Sequence, residues 1–176
     1  MSYTVTNDLL HDAGADATKN VVAVRRMRSV VQRVRYAKVS VNGELIANIA
    51  QGLCALVGIG IEDSRADISY MSAKLAGLRV FEDANGKMNL SLGDVQGEIL
   101  LVSQFTLFGD SRSGNRPSFT QAASPEKAKE YFDELAGALA VDWGCSVKTG
   151  KFRAHMDVEL ANDGPVTILI DSKKVF

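Results

Sequence analysis

A chain of 176 residues, 46% hydrophobic and 23% charged, has the composition of one ordinary globular domain and can bury roughly 70% of its unfolded surface. Its formal net charge of −1 supplies no global basic field. That argues against a general DNA binder, because any nucleic-acid contact must then use a local patch or the end of a strand.

Residues 1–26 form an N-terminal extension expected to be a disordered tail or an addition from an upstream start codon, without assigned function. Strong strand patterning begins only at Ser29, behind Met27. The segment has no long apolar run, so it fits neither a secretory signal nor a membrane span, and Asp8, Asp12 and Asp16 argue against a transit peptide. From Ser29 to Ile49 an apolar stretch and an alternating one flank Asn42-Gly43, which predicts a hairpin. LCALVGIGI, residues 53–61, is a continuous apolar run and predicts a strand buried on both faces at the centre of a sheet. Ile68, Met71, Leu75 and Leu78 then recur at helical spacing, with Ser64 as N-cap. A second hairpin tip is expected at Asn85-Gly86. EILLVSQFTLFGD, residues 98–110, reads as the longest strand of the chain. Ser124-Pro125-Glu126 opens a second helix running to about Ala140, with Tyr131, Phe132, Leu135 and Leu139 inward. CSVKTGKF, HMDVELAND and PVTILID read as three further short strands. In the last junction Asp163-Gly164 would suit a hairpin tip, but Pro165 removes a backbone donor where pairing should begin. No repeat or linker interrupts residues 27–176, so they are taken as one domain.

The usual catalytic groups are scarce. His11 lies in the tail and His155 stands alone, which disfavours a histidine zinc site, and no G-x-S-x-G elbow, P-loop or dinucleotide fingerprint is present. Cys54 in an apolar run and Cys145 behind Trp143-Gly144 lack metal-ligand spacing and fit a reducing, cytoplasmic compartment. No metal and no cofactor are expected. One polar interruption does stand out: Ser103-Gln104-Phe105-Thr106 breaks an apolar strand. Taken alone it is strand alternation, Gln104 and Thr106 on one face and Phe105 on the other. Its functional alternative is a convergence of hydroxyls, an amide and strand-end N–H groups on a bound carbonyl. Arg112 and Arg116 in the following loop are either solvated or phosphate ligands, and the Lys148, Lys151, Arg153 cluster reads as a solvated face.

MRSVVQRVRYAKVSVNGE, FEDANGKMNLSL, LLVSQFTLFGD, RPSF, TGKFRAHM and NDGPVT, in this order, resemble the D-aminoacyl-tRNA deacylase family from Met27 to about Ser172. SQFTL and NDGPVT are that family's paired signatures, and Phe105 with GPVT resembles the D-specific branch rather than the L-specific one. The resemblance implies an α/β fold, a strand-rich three-layer β/β/α sandwich with two main helices. It implies a homodimer with the active site at the subunit interface, in which Ser103, Gln104, Phe105 and Thr106 of one chain meet a cis Gly164-Pro165 element of the other. That element would reject L-aminoacyl groups. The implied reaction is hydrolysis of D-aminoacyl-tRNA, and of mischarged glycyl-tRNA(Ala), in the cytoplasm without DNA or membrane. Backbone N–H groups near Phe105 and Thr106 would bind the ester carbonyl while the terminal 2′-hydroxyl of the tRNA helps to activate water; the rival mechanism makes Thr106 a nucleophile. Met156 would line the pocket. Arg153 departs from the family pattern, which has a small residue there, and reads as a surface substitution or a tRNA contact. Two other classes stay open: a non-catalytic dimeric module binding an RNA end or small ligand, and a structural interaction protein.

Overall fold

The computed structural model describes residues 27–174, and the expectation for residues 1–26 lies outside them. Valine-rich β1 (Arg28–Val41) and β2 (Glu44–Ile49) form the first hairpin, turning at Asn42-Gly43, both with positive φ as a tight hairpin turn requires. β3 (Gly52–Gly58) follows, then α1 (Arg65–Gly77), the small hairpin β4 (Phe81–Glu82) and β5 (Met88–Leu90), and β6 (Glu98–Ser103). A short 3-10 turn (Phe105–Phe108), α2 (Pro125–Val141), β7 (Ser146–Thr149) and β8 (Asp157–Asp171) complete the order. The main sheet runs β2-β1-β3-β6-β7, with β8 paired to β1; β1–β3 is antiparallel, β3–β6 and β6–β7 parallel.

β3 and β6 are buried on both faces, and their alternation separates two cores. Leu53, Ala55, Val57, Ile99 and Leu101 pack with Met71 and Leu75 of α1 and Phe132, Leu135 and Leu139 of α2. Cys54, Leu100 and Val102 face the other way, towards Val34, Ala37, Val39 and Ile49. β1 belongs to both layers. Val31 sits in the helix-side core and Val34 in the other, because residues an odd number of steps apart on a strand face opposite sides; both lie in the half of β1 that pairs with β3, and the far half pairs with β2. The result is the expected three-layer α/β arrangement with two main helices. Each fully buried Leu or Phe contributes roughly 1.5–3 kcal/mol to it. Cys54 is among the buried set, and burial pushes its thiol up to about 11.

Three sequence expectations are corrected. The 98–110 strand stops at Ser103, because the chain winds into the 3-10 turn, with Leu107 N–H donating to Gln104 O (3.3 Å) and Gly109 N–H to Thr106 O (2.9 Å). A tertiary contact permits this: a Cβ on Gly58 would come within 2.9 Å of Gln104 O and 3.0 Å of the Phe108 ring. The turn therefore packs across the end of β3. The second correction joins the expected strands HMDVELAND and PVTILID into the single strand β8, both halves antiparallel to β1. Leu78, expected in the first helix, is its C-cap, with extended φ −60 and ψ 121.

Met27 before β1 and Ser172 after β8 are latched to each other and to the start of α1. Asp67 accepts from Ser64 N–H (2.9 Å), Ser64 Oγ (2.8 Å) and Ser172 Oγ (2.7 Å), while Ser172 N–H donates to Met27 O (2.9 Å). Burial raises the Asp67 carboxyl, but the Ser172 and Ser64 hydrogen bonds and the Lys173 charge outweigh it and leave it below its ordinary value. A depressed folded-state value stabilises the fold above the unfolded carboxylate pKa, near 4, and that stability is lost as pH falls through the folded value. Asp67→Asn is expected to cost about 1–2 kcal/mol at pH 7. Urea titrations from pH 7 to 3 check it: the loss of stability below about pH 4 should be shallower in the variant than in the native chain.

Candidate active site

The end of β6 is where apolar strand meets polar turn. Gln104 N–H extends the parallel pairing by one step, donating to Val57 O (2.7 Å). Gln104 then adopts φ −145, ψ 86, and its side-chain amide donates to Thr106 Oγ1. Arg28 of β1 braces the turn from outside the strand: its Nη1 donates to Leu107 O (2.7 Å) and its guanidinium stacks over the Phe108 ring at 5.1 Å. Phe105 and Thr106 N–H are the first donors of the turn, and neither meets an acceptor among the described residues.

A cavity of about 700 Å³ opens at this strand end. Val102, Ser103, Gln104 and Phe105 form one wall, and the turn from Phe152 to Met156 forms another. Phe119 and Ala122 with Pro125 of α2 close a third side. The 119–123 segment is fixed by backbone bonds to the chain after β3, Ile61 N–H to Gln121 O (3.0 Å) and Ala123 N–H to Ile59 O (2.9 Å). Phe105 is 59% exposed and meets Phe119 edge-on, with ring centroids 5.1 Å apart. The cavity thus carries exposed aromatic surface next to a turn whose first backbone donors meet no acceptor among the described residues. Among the described residues, no group of three or more His, Cys, Asp and Glu could hold a metal ion.

A second construction lies on β8. Gln32 of β1 faces Thr167, while Val34 faces Asn162, so two steps along β1 correspond to five along β8. The surplus residues bulge outward. Asn162 holds the neck: its Oδ1 accepts from Val166 N–H (2.8 Å), and its Nδ2 donates to Gln32 Oε1 (2.6 Å) and Thr167 Oγ1 (3.1 Å). Arg33, 6% exposed, lies beneath. Its Nε donates to Asp163 O (3.0 Å), its Nη1 to Val80 O (2.7 Å), and it pairs with the carboxylates of Asp163 (3.3 Å) and Glu82 (3.7 Å). Gly164 has φ +135, the Gly164-Pro165 bond is cis, and both residues are exposed.

A family model described as D-Tyr-tRNA(Tyr) deacylase matches residues 30–171. The chain belongs to that family. Proteins named D-aminoacyl-tRNA deacylase from Thermoanaerobacter sp. (strain X514) and Thermosipho africanus (strain TCF52B) are 58% and 53% identical to it over 150 residues, which is 85% of this chain and 100% of each relative. Among solved structures, one titled c-Myc DNA Unwinding Element Binding Protein is 43% identical, with TM-score 0.78 over 81% of this chain and 97% of that one. Another, titled as a probable eukaryotic D-amino acid tRNA deacylase, shares the fold at TM-score 0.72 and 15% identity, covering 83% and 99% of the two chains. As a member of this deacylase family the chain is an enzyme, a hydrolase.

Of the residues singled out in this deacylase's sequence, Ser103, Gln104, Phe105 and Met156 line one cavity. Thr106 stands one position beyond the wall, tied to Gln104. Gly164 and Pro165 do not line the cavity of their own chain, nor do Arg112 and Arg116. Arg112, 89% exposed, is instead held by Asp110 through Nε (2.9 Å) and Nη2 (2.6 Å), and this guanidinium keeps the Asp110 carboxyl far below its usual range. The strand-alternation reading of Gln104 and Thr106 is replaced by a wound turn in which the two side chains touch. Sequence reasoning missed Arg33, Arg28, Phe119 and Phe152. Arg33 had a signal: it occupies the inward series Ser29, Val31, Arg33 of an alternating strand, where a cation needs buried partners. Phe119 and Phe152 had a weaker one, as lone aromatics in otherwise polar, glycine-bearing loops.

Proposed function

We propose that the chain hydrolyses the ester of D-aminoacyl-tRNA, and of glycyl-tRNA(Ala), in the cytoplasm as a homodimer. The observation that carries the reading is the end of β6, where Ser103, Gln104 and Phe105 line a cavity and the N–H groups of Phe105 and Thr106 meet no acceptor among the described residues. The ester carbonyl sits against Phe105 and Thr106 N–H, which stabilise the oxyanion as water adds to the carbonyl carbon. The free 2′-hydroxyl of the terminal ribose assists removal of the water proton. The carbon–oxygen bond to the ribose then breaks, the ribose oxygen takes a proton, and D-amino acid and tRNA leave. An aminoacyl ester is already activated, so orientation and oxyanion binding suffice. The exposed face of Phe105 gives the terminal base a surface for stacking.

In this reading Gly164 and Pro165 of a second copy close the cavity and present main-chain atoms to the substrate's α-carbon. An L side chain meets them; a D side chain points away, and glycine has none to reject. Two features support the cross-subunit arrangement: the bulge is exposed and outside its own cavity, and β8 pairs only with β1 among the described strands.

Thr106 is assigned to positioning. Its hydroxyl contacts the Gln104 amide, and an amide in either orientation is no base for the proton a nucleophilic threonine must lose. His155 lines the cavity, yet the tRNA hydroxyl takes its place as base. Purified protein is therefore expected to deacylate D-Tyr-tRNA and spare L-Tyr-tRNA. Thr106→Ala and His155→Ala should each retain turnover within about threefold, since loss of a general base removes roughly 10²–10⁴-fold. Binding of D-Tyr-tRNA without turnover would support the binding-module alternative, and a hundredfold loss in His155→Ala would restore a side-chain base, whereas near-native turnover in Thr106→Ala eliminates the threonine nucleophile and a loss there fits nucleophile and positioning alike.

A further inference from the structure

Arg153 belongs to the cavity's second wall. The turn from Lys151 to Ala154 is closed by Ala154 N–H to Lys151 O (3.2 Å), which makes Arg153 its third residue, and its φ is +62. A positive φ at that place is the natural setting of glycine. A β-carbon there is disfavoured, so the fold gains nothing locally from arginine. The other features of Arg153 point outward. It lines the same cavity as Ser103, Gln104 and Phe105 and is exposed. Arg28, Arg33, Arg35, Arg65, Arg79 and Arg112 each hold a carboxylate or carbonyl group. The Arg153 side chain makes no hydrogen bond or ion pair with the described residues, nor do those of Lys148 and Lys151 just before it. An uncommitted cation therefore stands on the wall of a site in a protein without net basic charge.

We infer that Arg153 is a phosphate-binding residue: it holds the 5′-phosphate of the nucleotide whose ribose carries the aminoacyl ester. This rests on the reading of the cavity as an aminoacyl-ester site. With the ester at Phe105 and Thr106 N–H and the base on Phe105, the nearest strong anion of the substrate is that phosphate. A guanidinium matches two phosphate oxygens in one plane, which neither flanking lysine can do. Arg153 thus fixes the distance between the strand's last phosphate and the reacting carbonyl. It binds and positions the substrate and takes no part in bond making.

The test compares Arg153→Gly and Arg153→Lys with the native chain on D-Tyr-tRNA, on a D-tyrosyl ester of adenosine 5′-monophosphate, and on the same ester of adenosine. Arg153→Gly is expected to fold at least as stably as the native chain, because glycine accepts φ +62. On the two phosphate-bearing substrates KM should rise about tenfold with a smaller change in kcat, and the slope of log KM against log salt should fall by about one for the tRNA. Arg153→Lys should recover only part of the loss. On the adenosine ester the variants and the native chain should have the same KM. An unchanged KM on the phosphate-bearing substrates, or an equal rise on the adenosine ester, overturns the assignment. Failure of the native chain to cleave any of the three overturns the ester-site reading instead.

Discussion

Replacing Gly164 by alanine is expected to destabilise the chain by about 2 kcal/mol or more and to lower kcat/KM for D-Tyr-tRNA by about 100-fold. Two separate conflicts produce this. At φ +135 an L residue is in a region that is essentially closed to it. The added Cβ would also lie 2.7 Å from Val166 Cγ2, 2.9 Å from Val166 N and 3.4 Å from Arg33 Nη2. The Val166 methyl can rotate away, but its backbone nitrogen cannot move without breaking its bond to Asn162 Oδ1 at 2.8 Å. The bulge itself must therefore shift, and with it the main-chain atoms proposed to meet the substrate. A displacement near 1 Å is enough for a hundredfold loss when the role is geometric. Thermal unfolding should show a midpoint lower by about 4–8 °C. Parallel assays on D- and L-Tyr-tRNA should show the ratio of the two rates falling as well. A variant with native stability and the native D-to-L ratio would mean that the bulge is neither tightly built nor part of the site.

The bulge also shows where the sequence stops being readable. The hairpin at Asn42-Gly43, the double-faced strand β3 and the second helix were legible because each depends on local features: turn residues, a run of apolar side chains, and Ser124-Pro125 at a helix start. The 98–110 segment misled because its polar interruption at Ser103-Gln104 is also compatible with strand alternation, while its conformation is set from outside. Gly58 leaves room for the turn, and Arg28, distant in sequence, holds Leu107 O. For β8 the local signal was correct and its interpretation was not. Asn162-Asp163-Gly164-Pro165 does interrupt the ladder, but both flanks keep the same partner, so the interruption is an outward loop within one strand instead of a reversal. The SQFTL motif did name residues of one cavity wall, Ser103, Gln104 and Phe105, whereas Gly164 and Pro165 lie outside that cavity. It could not reveal that Thr106 turns back to Gln104, or that Arg112 is engaged by Asp110, since both depend on side-chain contacts made only after the turn and the loop have formed.

Arg33→Ala should be the most damaging single change to a charged residue, at about 3–5 kcal/mol. Two arginines reach the same carboxylate, and burial decides between them. Arg35 contacts Asp163 Oδ1 at 3.3 Å but is 75% exposed, so solvent screens the pair and Arg35→Ala should change stability by less than about 1 kcal/mol. Arg33 is 6% exposed and satisfies two main-chain carbonyls, of Asp163 and Val80, besides two carboxylates. Its removal leaves those acceptors without their charged donor in a place water reaches poorly. Arg33→Met keeps most of the volume and should recover little, which separates lost hydrogen bonding from a cavity. Arg33→Lys should recover part, because one ammonium cannot serve carbonyls on both sides in the guanidinium's fixed plane. Urea titrations of the four variants give the order of stability. Deacylation assays complete the argument: since Arg33 holds Asp163 O directly beside Gly164, its loss should reduce D-Tyr-tRNA turnover as well as stability. A variant that is destabilised yet fully active, with the native preference for D over L, would show that the bulge keeps its shape without Arg33 and that Asn162 alone sets it.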